Sequence, residues 1–189
     1  MASNPLPPGD RRPGTVGRAT GVEITAVDDD WRPVPAGRDG EVAVRGPSVV
    51  AEYLGNPAAT AASFRDGWFR TGDVGKLSAD GYLTLVGRVK ELINRAGEKI
   101  SPYEVEDVLL AHPAVAEAAA YPVPDEKYGE QVGVVVVLRG AATPGELTAY
   151  CAERLAAFKR PARVTVLPEI PKGPTGKIQR RNLAGLVEL

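Results

Sequence analysis

The run Val132-Gly133-Val134-Val135-Val136-Val137-Leu138 is the stretch that most limits what this chain can fold into. A strand with one face in water alternates apolar and polar residues. A near-continuous valine run offers no polar face, so it has to be buried on both sides. The surrounding sequence alternates strands with helices. Ser101 reads as a helix cap, with Pro102 at the first position and Glu104 three residues after the cap. The apolar side then continues through Val105, Val108 and Leu109 to about Ala111. A second helix is expected over residues 144–158, strands over 115–121 and 164–167, and a short helix over 178–189 behind a Gly/Pro loop.

The first half has a different character. Residues 1–20 are rich in Pro, Gly and Arg and offer little to bury beyond Leu6, so they read as an internal loop. From Gly21 onward, short alternating segments appear at 22–27 and 41–45, each ended by Gly, Pro or Asp. A small helix is expected over 56–64, with Pro57 in its first turn. Strands follow over 68–71, 74–77 and 82–86, with the turn dipeptide Asp80-Gly81 before the last. The change of character puts a boundary at Gly87 or Arg88.

Composition excludes several functions. With 23 basic and 24 acidic residues the formal net charge is -1, which leaves no cationic excess to neutralise a run of phosphates, so nucleic acid is not an expected partner. One cysteine, Cys151, rules out an internal disulfide framework and a cysteine zinc cage. The lone histidine, His112, leaves a His-based triad or multi-His metal site one place to stand, and it reads as a polar residue at a helix end. No apolar stretch approaches a bilayer span and no secretory leader follows Met1, so a soluble, cytoplasmic protein is expected. Gly173-Pro174-Thr175-Gly176-Lys177-Ile178 is too short for a P-loop, and Ile178 stands where a Ser or Thr should hold magnesium.

Three clusters carry more information: Gly67-Trp68-Phe69-Arg70-Thr71-Gly72-Asp73, Gly87-Arg88-Val89-Lys90-Glu91-Leu92-Ile93 and Pro171-Lys172-Gly173-Pro174-Thr175-Gly176-Lys177. At these residues the sequence resembles the adenylate-forming acyl-CoA synthetase superfamily, and the resemblance runs in the same order over essentially the whole chain. The wording at 96–102, 123–130, 155–159 and 176–181 looks most like the oxalate–CoA ligase group. The resemblance implies an α+β fold in two pieces. Residues 1–87 would be the β-rich, distorted barrel-like remainder of a large N-terminal AMP-binding domain. Residues 88–189 would be the small, mobile α+β C-terminal domain, a lid that swings between the two steps of the reaction.

The resemblance also assigns roles. Asp73 would accept both ribose hydroxyls of ATP or AMP, as a carboxylate with two acceptor oxygens can. Arg88 would donate to the ribose or phosphate through its planar fork. Lys90 falls at the hinge, where backbone freedom matters more than charge. Gly97 would line the pantetheine tunnel for coenzyme A, although a turn alone can also demand a glycine there. Lys177 would carry an ammonium to the charge developing between the carboxylate and the α-phosphate. Arg180 and Arg181, two basic residues opening a helix, read as solvent-exposed and fall outside the site.

The implied reaction joins a carboxylic acid to CoA at the expense of ATP, releasing AMP and pyrophosphate, with oxalyl- and fatty-acyl-CoA synthetases as the nearest activities. The family's phosphate loop, its Mg2+ site and its acyl pocket have no counterpart in this sequence, so the chain alone is expected not to form an adenylate and to need an N-terminal portion in cis or in trans. The alternative is a stand-alone, non-catalytic module that binds CoA or adenylate. A peptide-synthetase adenylation domain is disfavoured because no carrier domain follows.

Overall fold

The computed structural model describes residues 1–174 and 176–187. The fold is mixed α+β, and the chain divides into two compact units, Met1–Lys90 and Glu91–Leu189.

In the first unit, strands β1 (Ala2–Ser3), β2 (Gly17–Ala19), β3 (Glu23–Val27), β4 (Gly40–Arg45), β5 (Phe64–Arg65), β6 (Trp68–Leu77) and β7 (Tyr82–Arg88) form one antiparallel sheet. Its order is β1-β2-β7-β6-β4-β3, with β5 beside β6. Alternation turns Val42 and Val44 of β4 and Leu83 of β7 into a common core, against which Ile24, Phe69 and Leu77 pack. The opening segment is more ordered than a loop: β1 pairs with β2, and β2 with β7. Polar contacts hold it where apolar ones are lacking. The Tyr82 hydroxyl donates to the Asp10 carbonyl at 2.6 Å, and the Arg12 guanidinium lies 4.1 Å from the Tyr82 ring centroid.

Helix α1 (Pro57–Ser63) is capped by Asn56, whose side chain accepts from the Ala59 N–H at 3.0 Å. It ends one residue before the expected limit because Phe64 is extended and stacks on Phe69, 4.7 Å between ring centroids. The two segments expected over 68–71 and 74–77 are one strand. Gly72, at φ +76°, lets the chain bulge without breaking the ladder.

The second unit contains β8 (Ile93–Arg95), β9 (Glu98–Ile100), α2 (Pro102–Leu110), β10 (Val115–Asp125), β11 (Gly129–Leu138), α3 (Pro144–Ala152), β12 (Arg163–Val166) and α4 (Arg180–Val187). The valine run is β11, antiparallel to β10 and parallel to β12. Val132, Val134 and Val136 enter one cluster with Val105, Leu109, Leu147 and Cys151 from α2 and α3. Val135 enters another with Tyr121, Ile170 and Leu183 of α4. Both faces are therefore covered, as the absence of polar residues in the run requires.

Three helix expectations need correction. Ser101 makes no side-chain capping bond, and Glu104 turns to the Lys159 ammonium, at 2.6 Å, instead of closing a capping box. The capping box is at Thr143 and Glu146, on α3. That helix stops at Ala152 rather than continuing to Phe158. The chain tightens so that the Arg154 N–H donates to the Cys151 carbonyl at 3.1 Å, and Pro161 favours the extended backbone of Arg160. The last helix starts at Arg180, since Ile178 is engaged in a bridge with Lys172. Its expected last residues, Glu188 and Leu189, lie outside the described residues.

Candidate functional site

The β6 bulge builds the first element of the site. Glu41 faces Val74 and Ala43 faces Arg70, so Thr71, Gly72 and Asp73 together oppose Val42. The extra length is held by hydrogen bonds. The Thr71 hydroxyl donates to the Val42 carbonyl at 3.0 Å and accepts from the Asp73 N–H at 3.2 Å, while the Gly72 N–H donates to Glu41 Oε1 at 3.2 Å. On the other side Asp73 is the register partner of Arg88 on β7, and Arg88 Nε lies 3.1 Å from Asp73 Oδ1. The Asp73 side chain is 29% exposed and that of Arg88 is 67% exposed. An acceptor and a donor fork thus stand side by side at the end of a rigid ladder.

Lys90 follows within a single 3-10 turn, Val89–Glu91, with an exposed side chain, at the last position of the first unit. Gly97 sits in a tight β8–β9 hairpin that the sequence reading missed. Ile93, Asn94 and Arg95 pair with Ile100, Lys99 and Glu98, and the two turn residues Ala96 and Gly97 have φ +51° and +92°. Positive φ at both centres is the type I′ pattern that suits the twist of a hairpin. Gly97 is thus explained by the turn itself, and a Cβ built there would meet nothing within 4 Å. Lys177 is exposed on a closed loop. Lys172 bridges Ile178, the Gly173 N–H donates to the Lys177 carbonyl at 2.9 Å, and the Gly176 N–H donates to the Gly173 carbonyl at 2.8 Å. Thr175, within this loop, lies outside the described residues.

Residues 104–177 match the family model described as AMP-binding enzyme C-terminal domain. The chain belongs to the adenylate-forming acyl-CoA synthetase superfamily and corresponds to its C-terminal portion. Oxalate–CoA ligases of Arabidopsis thaliana and Saccharomyces cerevisiae are 50% and 47% identical to it, each over 97% of this chain. The crystal structure of ATP-bound MatB from Rhodopseudomonas palustris superposes with a TM-score of 0.89 at 35% identity, covering 99% of this chain. The chain spans 36%, 35% and 38% of those three proteins.

The structure adds residues that the sequence did not single out. Glu41 and Arg70 pair at 3.4 Å, both largely buried, and Glu41 also receives the Gly72 N–H, so the pair fixes the bulge that carries Asp73. Arg180 is not solvent-exposed as expected: its side chain is 10% exposed and is paired with Glu106, itself 9% exposed. Arg181 is largely exposed and pairs with Glu130 at 3.2 Å. Cys151 is fully buried in the core, and burial pushes its thiol up from the ordinary value, which suits packing rather than nucleophilic work. His112 lies just beyond α2, where its Nδ1 accepts from the Ala114 N–H at 3.2 Å.

Among the described residues no group of three or more His, Cys, Asp or Glu side chains could hold a metal ion, and no helix is long and apolar enough to cross a membrane. A cavity of about 350 Å³ in the first unit is lined by Gly46, Val49, Phe64, Arg65 and Gly67 among others, and none of the expected site residues lines it.

Proposed function

We propose that this chain supplies the C-terminal part of an AMP-forming acid–CoA ligase. In the first step a carboxylate oxygen attacks the α-phosphorus of ATP, the bond to pyrophosphate breaks, and an acyl-adenylate forms. In the second, the CoA sulfur attacks the acyl carbon and AMP leaves. Asp73 accepts from the ribose hydroxyls and Arg88 donates to the ribose or phosphate. Lys177 brings a positive charge to the reacting carboxylate and α-phosphate, where charge develops in the transition state. Gly97, at an open hairpin tip without a Cβ, leaves room for the thin pantetheine arm. Lys90 lies in the turn whose backbone absorbs the rotation between the two steps.

The observation that carries this reading is the pairing of Asp73 with Arg88. A bulge held by four other side chains and backbone groups presents an acceptor and a bidentate donor on adjacent strands, which suits a diol beside a phosphate. The Mg2+ that accompanies ATP is assigned to the N-terminal portion of the ligase, in cis or in trans, with the family's phosphate loop. Similarity to two oxalate–CoA ligases makes oxalate the first acid to test. A cytoplasmic setting, where ATP and CoA are at hand and a lone thiol stays reduced, accompanies this assignment.

The test joins this chain to the N-terminal portion of the R. palustris MatB and measures acid-dependent pyrophosphate release, then CoA-dependent AMP release. Both are expected with the acid that intact MatB uses, because the acyl pocket of the hybrid is MatB's; oxalate and longer acids are then tested on this chain's own ligase. A folded hybrid that binds ATP yet releases no pyrophosphate with any acid, while intact MatB does so with its own, would favour a non-catalytic CoA- or adenylate-binding module.

A further inference from the structure

The loop that carries Lys177 is anchored on both sides. On the incoming side, Lys172 pairs with Glu117 of β10 at 3.1 Å. On the outgoing side, Ile178 packs against the cluster of Tyr121, Ile170 and Leu183, and Arg180 opens α4. A cation at a helix N-terminus is unfavourable for the helix itself, because the first-turn N–H groups already make that end positive. Something other than helix stability therefore accounts for Arg180.

Its surroundings are built to hold it. Nε and Nη2 reach the two oxygens of Glu106 at 3.2 and 3.0 Å, a bidentate fork. Nη1 lies 3.4 Å from Glu91 Oε2, and the guanidinium stacks 4.6 Å from the Tyr103 ring centroid. Tyr103 in turn donates its hydroxyl to Glu91 at 2.7 Å, and Glu106 accepts from the Ala120 N–H at 2.8 Å. One side chain therefore joins α2 and β10 to the residue that follows Lys90. A lysine, with a single point charge, cannot fork onto Glu106 and reach Glu91 at once.

We propose that Arg180 is a positioning residue for Lys177, fixing the outgoing stem of its loop to Glu91 beside the hinge and to the buried Glu106. The inference rests on the reading of Lys177 given above. When the second unit moves, the loop moves with it as one piece, and Lys177 arrives at a fixed place rather than at the end of a loose tether.

The test compares Arg180→Lys, Glu91→Gln and Lys177→Ala in a complete ligase that carries this chain, scoring adenylation and thioester formation from a supplied acyl-adenylate separately. Arg180→Lys is expected to lower the adenylation kcat about a hundredfold, as a misplacement of about 1 Å can, and to leave thioester formation near the wild-type rate. Wild-type adenylation in Arg180→Lys, or equal loss of both steps, overturns the proposal. If Lys177→Ala itself adenylates normally, the reading of Lys177 fails instead. Because Arg180→Lys can impair folding, amide hydrogen exchange of the 189-residue chain gives a second measure. In Glu91→Gln, exchange across residues 172–179 is expected to quicken while that of β10 and β11 stays unchanged. Unaltered exchange across 172–179 overturns the proposal as well.

Discussion

Asp73 and Arg88 face each other as register partners of β6 and β7, with Arg88 Nε 3.1 Å from Asp73 Oδ1, at the place where the ladder passes through a bulge. The bulge sets the direction of Asp73, and the ladder sets its distance from Arg88. Neither depends on the ion pair itself.

This separation predicts that the pair matters little to stability and much to nucleotide. Arg88 is two-thirds exposed, so Arg88→Ala should change the unfolding free energy by no more than about 0.5 kcal/mol, as for other exposed ion pairs. In a complete ligase the same change, or Asp73→Asn, should weaken AMP binding about tenfold or more, the effect of losing a charge-assisted hydrogen bond. Urea titration and calorimetric AMP binding measure the two effects. A large stability loss with unchanged AMP affinity would make the pair structural.

The β8–β9 turn predicts opposite effects at neighbouring positions. Ala96 holds φ +51°, a region that an L side chain enters at a cost, so Ala96→Gly should stabilise the chain by up to about 1 kcal/mol. Gly97→Ala should destabilise it by about 1 kcal/mol for the same reason, since no neighbouring atom crowds the new Cβ. In the complete ligase Gly97→Ala should also slow thioester formation while leaving adenylation intact. Urea midpoints and the two half-reactions report these effects, and a Gly97→Ala ligase with normal thioester formation would leave Gly97 with the turn alone to explain it.

Glu106 predicts a pH dependence. Burial pushes its carboxyl up from the ordinary 4.5, outweighing the opposite pull of Arg180 and of the Ala120 N–H. The native state then keeps this proton to higher pH than the unfolded chain does, so stability from this site is full below about 4.5 and falls as pH rises through the native value. Glu106→Gln keeps an acceptor for the Ala120 N–H and does not titrate. The stability of wild type relative to Glu106→Gln should therefore fall over that interval and then level off. A relative gain with rising pH would mean that the ion pair with Arg180 outweighs burial.

Much of this was legible in the sequence, for physical reasons that differ from element to element. The valine run required two covered faces whatever lay around it, and β11 has them. Pro57 and the Asp80-Gly81 turn act locally, so α1 and β7 begin within one residue of where they were expected. What was missed depends on partners distant in sequence. Glu41 and Arg70 meet only because β4 pairs with β6. Arg180 is buried because Glu91 and Glu106 converge on it, and two adjacent arginines carry no sign of that. One signal was available. Glu106 falls on the buried stripe of α2 with Pro102, Val105 and Leu109, and a carboxylate on such a stripe demands a buried cationic partner. The hairpin around Gly97 was missed because its strands are short and its turn is Ala-Gly rather than Asn-Gly.

In the ligase proposed above, Lys177 is the lysine that serves adenylation. The most direct test is Lys177→Ala in a complete ligase bearing this chain, with the two half-reactions followed separately. Acid-dependent pyrophosphate release is expected to fall by about a hundredfold or more, and CoA acylation from a supplied acyl-adenylate is expected to continue at the wild-type rate. Equal loss of both steps, or unaltered pyrophosphate release, would contradict the account.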